Sequence, residues 1–160
     1  MELLSVMYVL SAPLCTLARA AIMTGKYGAK TGVTGVPGTV GLEHQSLFLR
    51  MEENNPGIYA NAVIGIWHLS SSPDLDHPST HGIQYYTGSI GGAVRDFFDW
   101  AKVTNGISEN LQTYVTTDLT NESINWINNQ NQPWFLWLAH NVPHSPFHNP
   151  TENLISSNPE

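Results

Sequence analysis

Cysteine and basic residues are the scarcest groups in this 160-residue chain. The one cysteine, Cys15, excludes an internal disulfide framework and a zinc site built from several thiolates. Six Lys and Arg stand against thirteen Asp and Glu, which gives a formal net charge of −7. No basic surface is therefore available to neutralise a phosphate backbone, and we expect no nucleic-acid partner.

Long apolar runs are also lacking. No stretch reaches the ~20 residues that a spanning helix needs, so we expect no membrane span. The start, "MELLSVMYVLSAPLC", has the outline of a signal peptide, but its early charge is the acidic Glu2. Leu14 stands before the cysteine, where a lipoprotein signal has a small residue. We expect this stretch to be interior sequence, which carries no targeting signal and leaves the compartment undetermined.

What the chain does contain is enough apolar sequence for one domain with a real core, at 41% hydrophobic residues. Apolar and β-branched runs predict strands at 5–11, 60–69 and 133–140, and the spacing of apolar residues predicts helices at 16–23, 42–53 and 116–130. Strands separated by helices predict an α/β fold with a largely parallel central sheet. The last strand is apolar almost throughout, which predicts burial on both faces.

Polar residues that can carry chemistry follow each predicted strand. Cys15 follows the first strand, His68 lies near the end of the second, and residues 140–148 follow the third. In parallel sheets such positions line the ligand crevice. Cys15 also begins a predicted helix and Arg19 follows one turn later, which suits an anionic group such as sulfate or phosphate. The same spacing fits a buried thiol that acts as a small hydrophobe, beside an arginine that reaches the surface.

Three histidines recur at every fourth residue: His140, His144 and His148. On a helix this spacing would gather three imidazoles as metal ligands. Prolines at 143, 146 and 150 forbid that helix. We therefore favour a single loop histidine that lines a cleft.

Several motifs, taken in order, resemble one family. "YVLSAPLCTLARAAIMTGKYGAKTGV" is similar to the sulfatase signature, in which arginine follows a cysteine or serine by four residues and small residues and "TG" come after it. "AVIGIWHL" resembles the second motif of that family, usually Gly-Lys-Trp-His-Leu, and "THGIQYYTG" resembles the segment that follows it. The helix, strand and histidine loop from "TTDLTNES" to "PHSPFHNP" also match, so the resemblance covers nearly the whole chain.

The resemblance implies an alkaline-phosphatase-like α/β sandwich that hydrolyses sulfate esters. It implies that Cys15 is oxidised to formylglycine by a maturation enzyme, and that the hydrated aldehyde attacks sulfur and later expels sulfate. Arg19 would then hold the hydrated aldehyde and its metal, and His68 would handle a proton of the diol. His144, in "PHSP", would bind sulfate or protonate the leaving alcohol. The substrate would be a sulfated small molecule or glycan, and the family suggests an exported protein.

The chain departs from the family pattern at two positions and in its extent. Leu17 replaces the usual proline, serine or other small residue that the maturation enzyme reads, and Ile66 replaces the lysine of the second motif. The family's metal is calcium; Cys15, as formylglycine, would be one ligand, and the paired aspartates and Asp-Asn ligands of the family have no counterpart in 1–160. We therefore expect 1–160 to be part of a sulfatase catalytic domain, with a sheet that is incomplete at both ends.

Two other functions stay open at this stage. One is a catalytically inactive sulfatase-like fragment or binding domain, which Ile66 and the missing metal ligands favour. The other is a phosphoesterase on the same scaffold, against which the cysteine–arginine signature weighs.

Overall fold

A computed structural model describes residues 13–70 and 74–155 of the chain. The predicted strand at 5–11 lies outside the described residues. The helices are α1 (Cys15–Thr24), α2 (Gly28–Thr31), α3 (Leu47–Asn54), α4 (His77–Thr80) and α5 (Val115–Asn128), and a 3₁₀ turn spans Glu152–Leu154. The strands are β1 (Ala60–Gly65), β2 (Tyr85–Gly88), β3 (Trp100–Thr104), β4 (Ile107–Leu111) and β5 (Trp134–Ala139).

The five strands form one mixed sheet in the order β4-β3-β2-β1-β5. Strand β1 pairs in parallel with β2 and β5, which confirms the predicted α/β fold and gives one side of the sheet three parallel strands. Strands β3 and β4 add an antiparallel hairpin that the prediction of a largely parallel sheet did not include. Asn105 and Gly106 form its two-residue turn, with φ of 46° and 84°, and Asn-Gly is the sequence that such a turn favours.

Strand β1 separates two apolar clusters because its side chains alternate between the faces of the sheet. Val63 packs into the first cluster, with Ala20 and Met23 of α1. Ala62 and Ile64 pack into the second cluster, which α5 covers with Val115 and Leu119. The described chain is thus a sheet with helices on both faces, and β1 lies between β2 and the edge strand β5.

Strand β5 is less buried than its apolar sequence predicts. Its central residues alternate between the two clusters, but Trp134 and Leu138 are 45% and 39% exposed. These two side chains are exposed because β5 is an edge strand of the described sheet, with a hydrogen-bonded neighbour on one side alone. The prediction of burial on both faces was therefore wrong for these two side chains.

Local capping sets the helix boundaries. Helix α1 matches the predicted 16–23 to within one residue at either end, and Gly25 ends it in the left-handed conformation with φ 68°. Helix α3 begins at Leu47 rather than at 42, because the Ser46 hydroxyl caps it by accepting a hydrogen bond from the Leu49 amide at 3.0 Å. No helix in the described part of the chain combines the length and apolar character needed to cross a bilayer.

An ion cluster fastens α5 to the hairpin. Lys102 Nζ on β3 lies 2.8 Å from Asp118 Oδ2 and 2.8 Å from Glu122 Oε1. Burial alone lowers the pKa of Lys102, but the bonds to Asp118 and Glu122 outweigh it and raise this pKa overall. The buried ammonium therefore stays charged.

Candidate active site

The candidate site lies where three parallel strands end. Because β1, β2 and β5 run in the same direction, the segments after Gly65, Gly88 and Ala139 emerge at one edge of the sheet. Main-chain hydrogen bonds join these segments, from Ile66 N to Ala139 O at 2.8 Å and from His68 N to Ile90 O at 3.0 Å.

Cys15 and His68 meet at this edge. Cys15 is the first residue of α1, and its Sγ lies 3.1 Å from His68 Nδ1. His68 has φ 53°, a left-handed conformation that is uncommon for a residue other than glycine. A Cβ on Gly92 would lie 2.2 Å from His68 Cε1, so the absence of a side chain there gives the imidazole its space. The pairing combines a helix N-terminus, which favours an anion, with an imidazole able to exchange a proton.

Arg19 places a cation beside this pair. It lies one helical turn after Cys15, its Nη1 donates to Ile66 O at 2.6 Å, and its Cζ lies 5.5 Å from the centroid of the Trp137 ring. Burial lowers the pKa of Arg19 from its usual range, but a guanidinium remains charged in proteins. The side chain is partly exposed and bonded to the end of β1, which favours a role in the site over the predicted alternative of an arginine that reaches the surface.

A cleft of about 310 Å³ opens in front of these residues. It is lined by Cys15, Arg19, Ile66, Gly92, His140, Asn141, Val142, Pro143 and His144. Arg19 is the one Lys or Arg among the lining residues, and the lining contains no Asp or Glu. An anion is the ligand that such a lining suits, since one fixed positive charge has no carboxylate beside it to oppose the anion.

Two neutral imidazoles lie at the cleft. Burial, and after it the charges of Arg19 and His144, lower the pKa of His68. Burial also lowers the pKa of His140. Both groups are therefore unprotonated near neutral pH, and His68 can accept a proton from a group at Cys15.

The structure brings together the four residues singled out in the sequence. Cys15, Arg19 and His144 line the cleft, and His68 lies behind Cys15 in contact with its sulfur. His144 is exposed, and its Nδ1–H donates to Ser145 O at 3.0 Å, which leaves Nε2 for a ligand.

The other two histidines of the four-residue repeat have different surroundings. His140 lines the cleft, whereas His148 stacks on Phe97 with centroids 3.7 Å apart and its Nε2 bonds the Tyr114 hydroxyl at 3.0 Å. Residues 74–155 and 13–70 hold no group of three His, Cys, Asp or Glu side chains suited to a metal ion. The repeat is therefore not a metal triad.

Sequence reasoning missed Asn141 as a residue of the site. It is 1% exposed, it lines the cleft, and its Nδ2 donates to Ser89 Oγ at 3.0 Å, which ties the end of β5 to the end of β2. The signal that would have found Asn141 is its position, since it directly follows the predicted strand at 133–140 just as Cys15 comes after the predicted strand at 5–11.

The described residues do not fit a calcium ion. Around the thiol they offer a guanidinium, imidazoles and one amide, while Ca²⁺ takes six to eight oxygen ligands, largely carboxylates and carbonyls.

Known proteins resemble the chain over most of its length. The sulfatase family model matches residues 3–154. The uncharacterized sulfatase YdeN of Escherichia coli K12 is 27% identical, over 83% of this chain and 28% of that protein. The arylsulfatase of Klebsiella aerogenes is also 27% identical, over 89% of this chain and 36% of that protein. The chain thus spans about a third of the length of these relatives.

Solved structures extend the likeness to the fold. Ps i-CgsB is 28% identical with a TM-score of 0.72, over 86% of this chain and 36% of that one. BT4656, in complex with its substrate D-glucosamine-2-N,6-O-disulfate, is 25% identical with a TM-score of 0.64, over 82% of this chain and 25% of that one. These neighbours are sulfatases of the alkaline-phosphatase-like fold. With a family match across nearly all of its residues and the cysteine, arginine and histidines of the family motifs at one cleft, the chain belongs to the sulfatase family.

Proposed function

We propose that the protein hydrolyses sulfate esters and that the described residues hold its nucleophile and part of its sulfate site. The observation that carries the proposal is the 3.1 Å contact between Cys15 Sγ and His68 Nδ1, with Arg19 one turn away. Family membership supports this reaction class, and the anion-suited cleft supports a sulfate group as the ligand.

Cys15 is proposed as the precursor of formylglycine, whose hydrated aldehyde supplies an oxygen nucleophile and a hydroxyl that later releases sulfate. The place of Cys15 fits that group, since the residue is partly exposed in the cleft at a helix N-terminus. His68 Nδ1 lies within reach of whatever atom replaces Sγ and, being unprotonated, accepts a proton there. Arg19 holds the anionic group in place by its fixed charge.

His144 is proposed to act on the other side of the cleft. Its Nε2 can donate a hydrogen bond to sulfate when the ring is protonated, or pass that proton to the oxygen of the leaving alcohol. Its exposure suits this role, because the alcohol has to enter and leave through the open side of the cleft.

The substrate is proposed to be a sulfated small molecule or glycan. The neighbour BT4656, which shares the fold, is complexed with a sulfated glucosamine, and this supports a sugar sulfate as one candidate. A formylglycine-generating enzyme is the proposed maturation partner, and calcium is a proposed cofactor to which residues beyond the described ones would have to contribute oxygen ligands.

Mass analysis of the Cys15 peptide tests the proposed chemistry. The protein is expressed with and without a formylglycine-generating enzyme, and the peptide spanning Cys15 is isolated from each sample. Aldehyde at position 15 in the first sample and thiol in the second is the expected result. Thiol in both samples, even after Leu17→Ser restores a small residue in the signature, would show that this sequence is not a formylglycine precursor.

A second candidate is a sulfatase-like domain that binds sulfated ligands without turnover. Ile66 favours it, because an apolar, 5% exposed side chain lines the cleft where the resemblance implies a lysine. Aldehyde at Cys15 together with absence of hydrolysis across several sulfate esters would select this candidate.

A further inference from the structure

His68 needs support from its surroundings, because its own conformation is unfavourable. A non-glycine residue in the left-handed region is strained and persists only where neighbouring groups determine its conformation. The backbone bond from His68 N to Ile90 O is one such constraint. Trp67, the residue just before His68, is fully buried. A contact that fixes the Trp67 indole therefore also fixes the backbone that leads into His68.

His77 of α4 fixes that indole. Trp67 Nε1 donates a hydrogen bond to His77 Nδ1 at 3.1 Å, and His77 Nε2 lies 3.1 Å from Val40 O. An indole N–H can only donate and a carbonyl can only accept, so His77 must be the neutral Nε2–H tautomer. Both of its nitrogens are then used, and a protonated ring would lose the bond from Trp67.

Val40 connects this arrangement back to the segment that carries His68. Its amide donates to Leu69 O at 2.9 Å, while its carbonyl accepts from His77. The segment 67–69 is therefore held at Trp67 by the ring of His77 and at Leu69 by Val40, and His68 lies between these two attachments.

We infer that His77 is a positioning residue that acts through the Trp67 indole to keep the His68 imidazole at Cys15. His77 supports the proposed site from a buried position and does not touch the reacting atoms. Its catalytic meaning rests on the proposed function, but the contact between His68 and Cys15 can be measured without turnover.

His81 provides a matched control on the next turn of the chain. It is 1% exposed, its ring lies 4.6 Å from that of His77, and its Nε2 donates to the same Val40 carbonyl at 3.2 Å. It makes no hydrogen bond to Trp67. A change at His81 thus disturbs the same cluster and leaves the bond from the indole in place.

The test uses the full chain in its thiol form and iodoacetamide as the probe. Cys15 is the single cysteine, so the alkylation rate reports this thiol alone. An imidazole beside the sulfur promotes the reactive thiolate. His77→Leu is expected to slow alkylation near neutral pH by roughly tenfold, a smaller factor than a positioned base usually contributes. The pH profile of alkylation is expected to change in the same way as in His68→Ala.

Three further variants make the outcome decisive. His77→Asn, whose Oδ1 can accept from the indole, is expected to restore most of the wild-type rate, and His81→Leu is expected to keep it. Trp67→Phe removes the N–H and is expected to slow alkylation even if His77→Leu does not fold. Folded His77→Leu or Trp67→Phe protein with an unchanged or raised rate would overturn the inference, and so would His81→Leu protein that is slowed equally. Alkylation of the thiol does not depend on sulfate hydrolysis. Failure of the proposed function would therefore leave the alkylation result valid, and failure of the inference about His77 can be told apart from it.

Discussion

Cys15 Sγ lies 3.1 Å from His68 Nδ1, although 53 residues separate the two along the chain. The contact exists because α1 begins at the edge of the sheet where β1 ends, and because Gly92 leaves room for the imidazole. A thiol or its oxidation product at this point has a neutral base beside it and a cation one turn away.

Substitution of Gly92 is expected to push His68 away from Cys15. A Cβ at position 92 would fall 2.2 Å from the ring, well inside any permitted contact, so Gly92→Ala must displace the imidazole or the loop. We expect Gly92→Ala to lower hydrolysis by the matured protein roughly tenfold or more, as loss of a positioned proton acceptor does.

Gly91 supplies the control for that substitution. A Cβ there would meet only the Ala93 carbonyl at 3.8 Å, an ordinary contact, so Gly91→Ala is expected to retain the wild-type rate. Equal rates for Gly91→Ala and Gly92→Ala would contradict the assigned place of His68.

Ile66→Lys is expected to strengthen sulfate ester hydrolysis. Ile66 lines the cleft with Arg19, so an ammonium at this position can reach a bound sulfate. A charged hydrogen bond contributes about 1.5–3 kcal/mol, which corresponds to an increase in kcat/KM of roughly tenfold to a hundredfold. Steady-state kinetics on an aryl sulfate measure this change. Ile66→Met, which is long but uncharged, should show no increase, and a gain equal to that of lysine would refute the electrostatic reason.

Lys102→Met is expected to destabilise the fold without acting on the cleft. The substitution leaves Asp118 and Glu122 close together without the ammonium that lies 2.8 Å from each. Because both carboxylates are partly exposed, we expect the loss to be that of a charged hydrogen bond, about 1.5–3 kcal/mol. Urea unfolding followed by tryptophan fluorescence gives this value. Lys30→Met, at an exposed lysine on α2, is the control, and a similar loss there would show that the cluster has no special role.

The free energy of unfolding is expected to fall as the pH decreases below about 6.5, which is the pKa of a histidine in an unfolded chain. Burial lowers the pKa of His68, His77, His81 and His140, so the unfolded chain binds protons that these folded imidazoles refuse. Stability is then complete above the unfolded pKa and is lost as the pH falls toward the folded values.

Urea unfolding at about pH 7.5 and about pH 5.5 measures this dependence. Replacement of His77 and His81 together by Asn should reduce the difference between the two pH values, because two of the four groups are removed. A pH-independent free energy in the wild-type protein would contradict the neutral assignment of the buried rings.

Local signals were sufficient for much of the fold and of the site. The helices α1 and α5 and the strands β1 and β5 follow from apolar spacing and from glycine and proline breaks. Positions near or just after the predicted strand ends identified Cys15, His68 and the histidine loop, although β1 ends at Gly65 rather than at 69. His68 and the histidine loop converge because β1 and β5 pair in parallel, which brings the ends of these strands to one edge.

The remaining features depend on contacts between distant residues. The cap at Ser46, which delays α3 by five residues, is a side-chain bond that apolar spacing does not show. The hairpin at Asn105 does have a local signal in its Asn-Gly turn, but pairing β3 with β2 requires contacts between distant residues. The bond from Trp67 to His77 had none, because a buried histidine near a predicted strand has many possible partners.

The decisive measurement is hydrolysis of 4-nitrophenyl sulfate by the protein after expression with a formylglycine-generating enzyme, compared with Cys15→Ala made in the same way. We expect turnover by the wild-type protein and none above background by Cys15→Ala, because the alanine removes the nucleophile and leaves Arg19 and His144 in place. Equal rates for the two proteins, or no turnover by wild-type protein that carries the aldehyde at position 15, would contradict the proposed function.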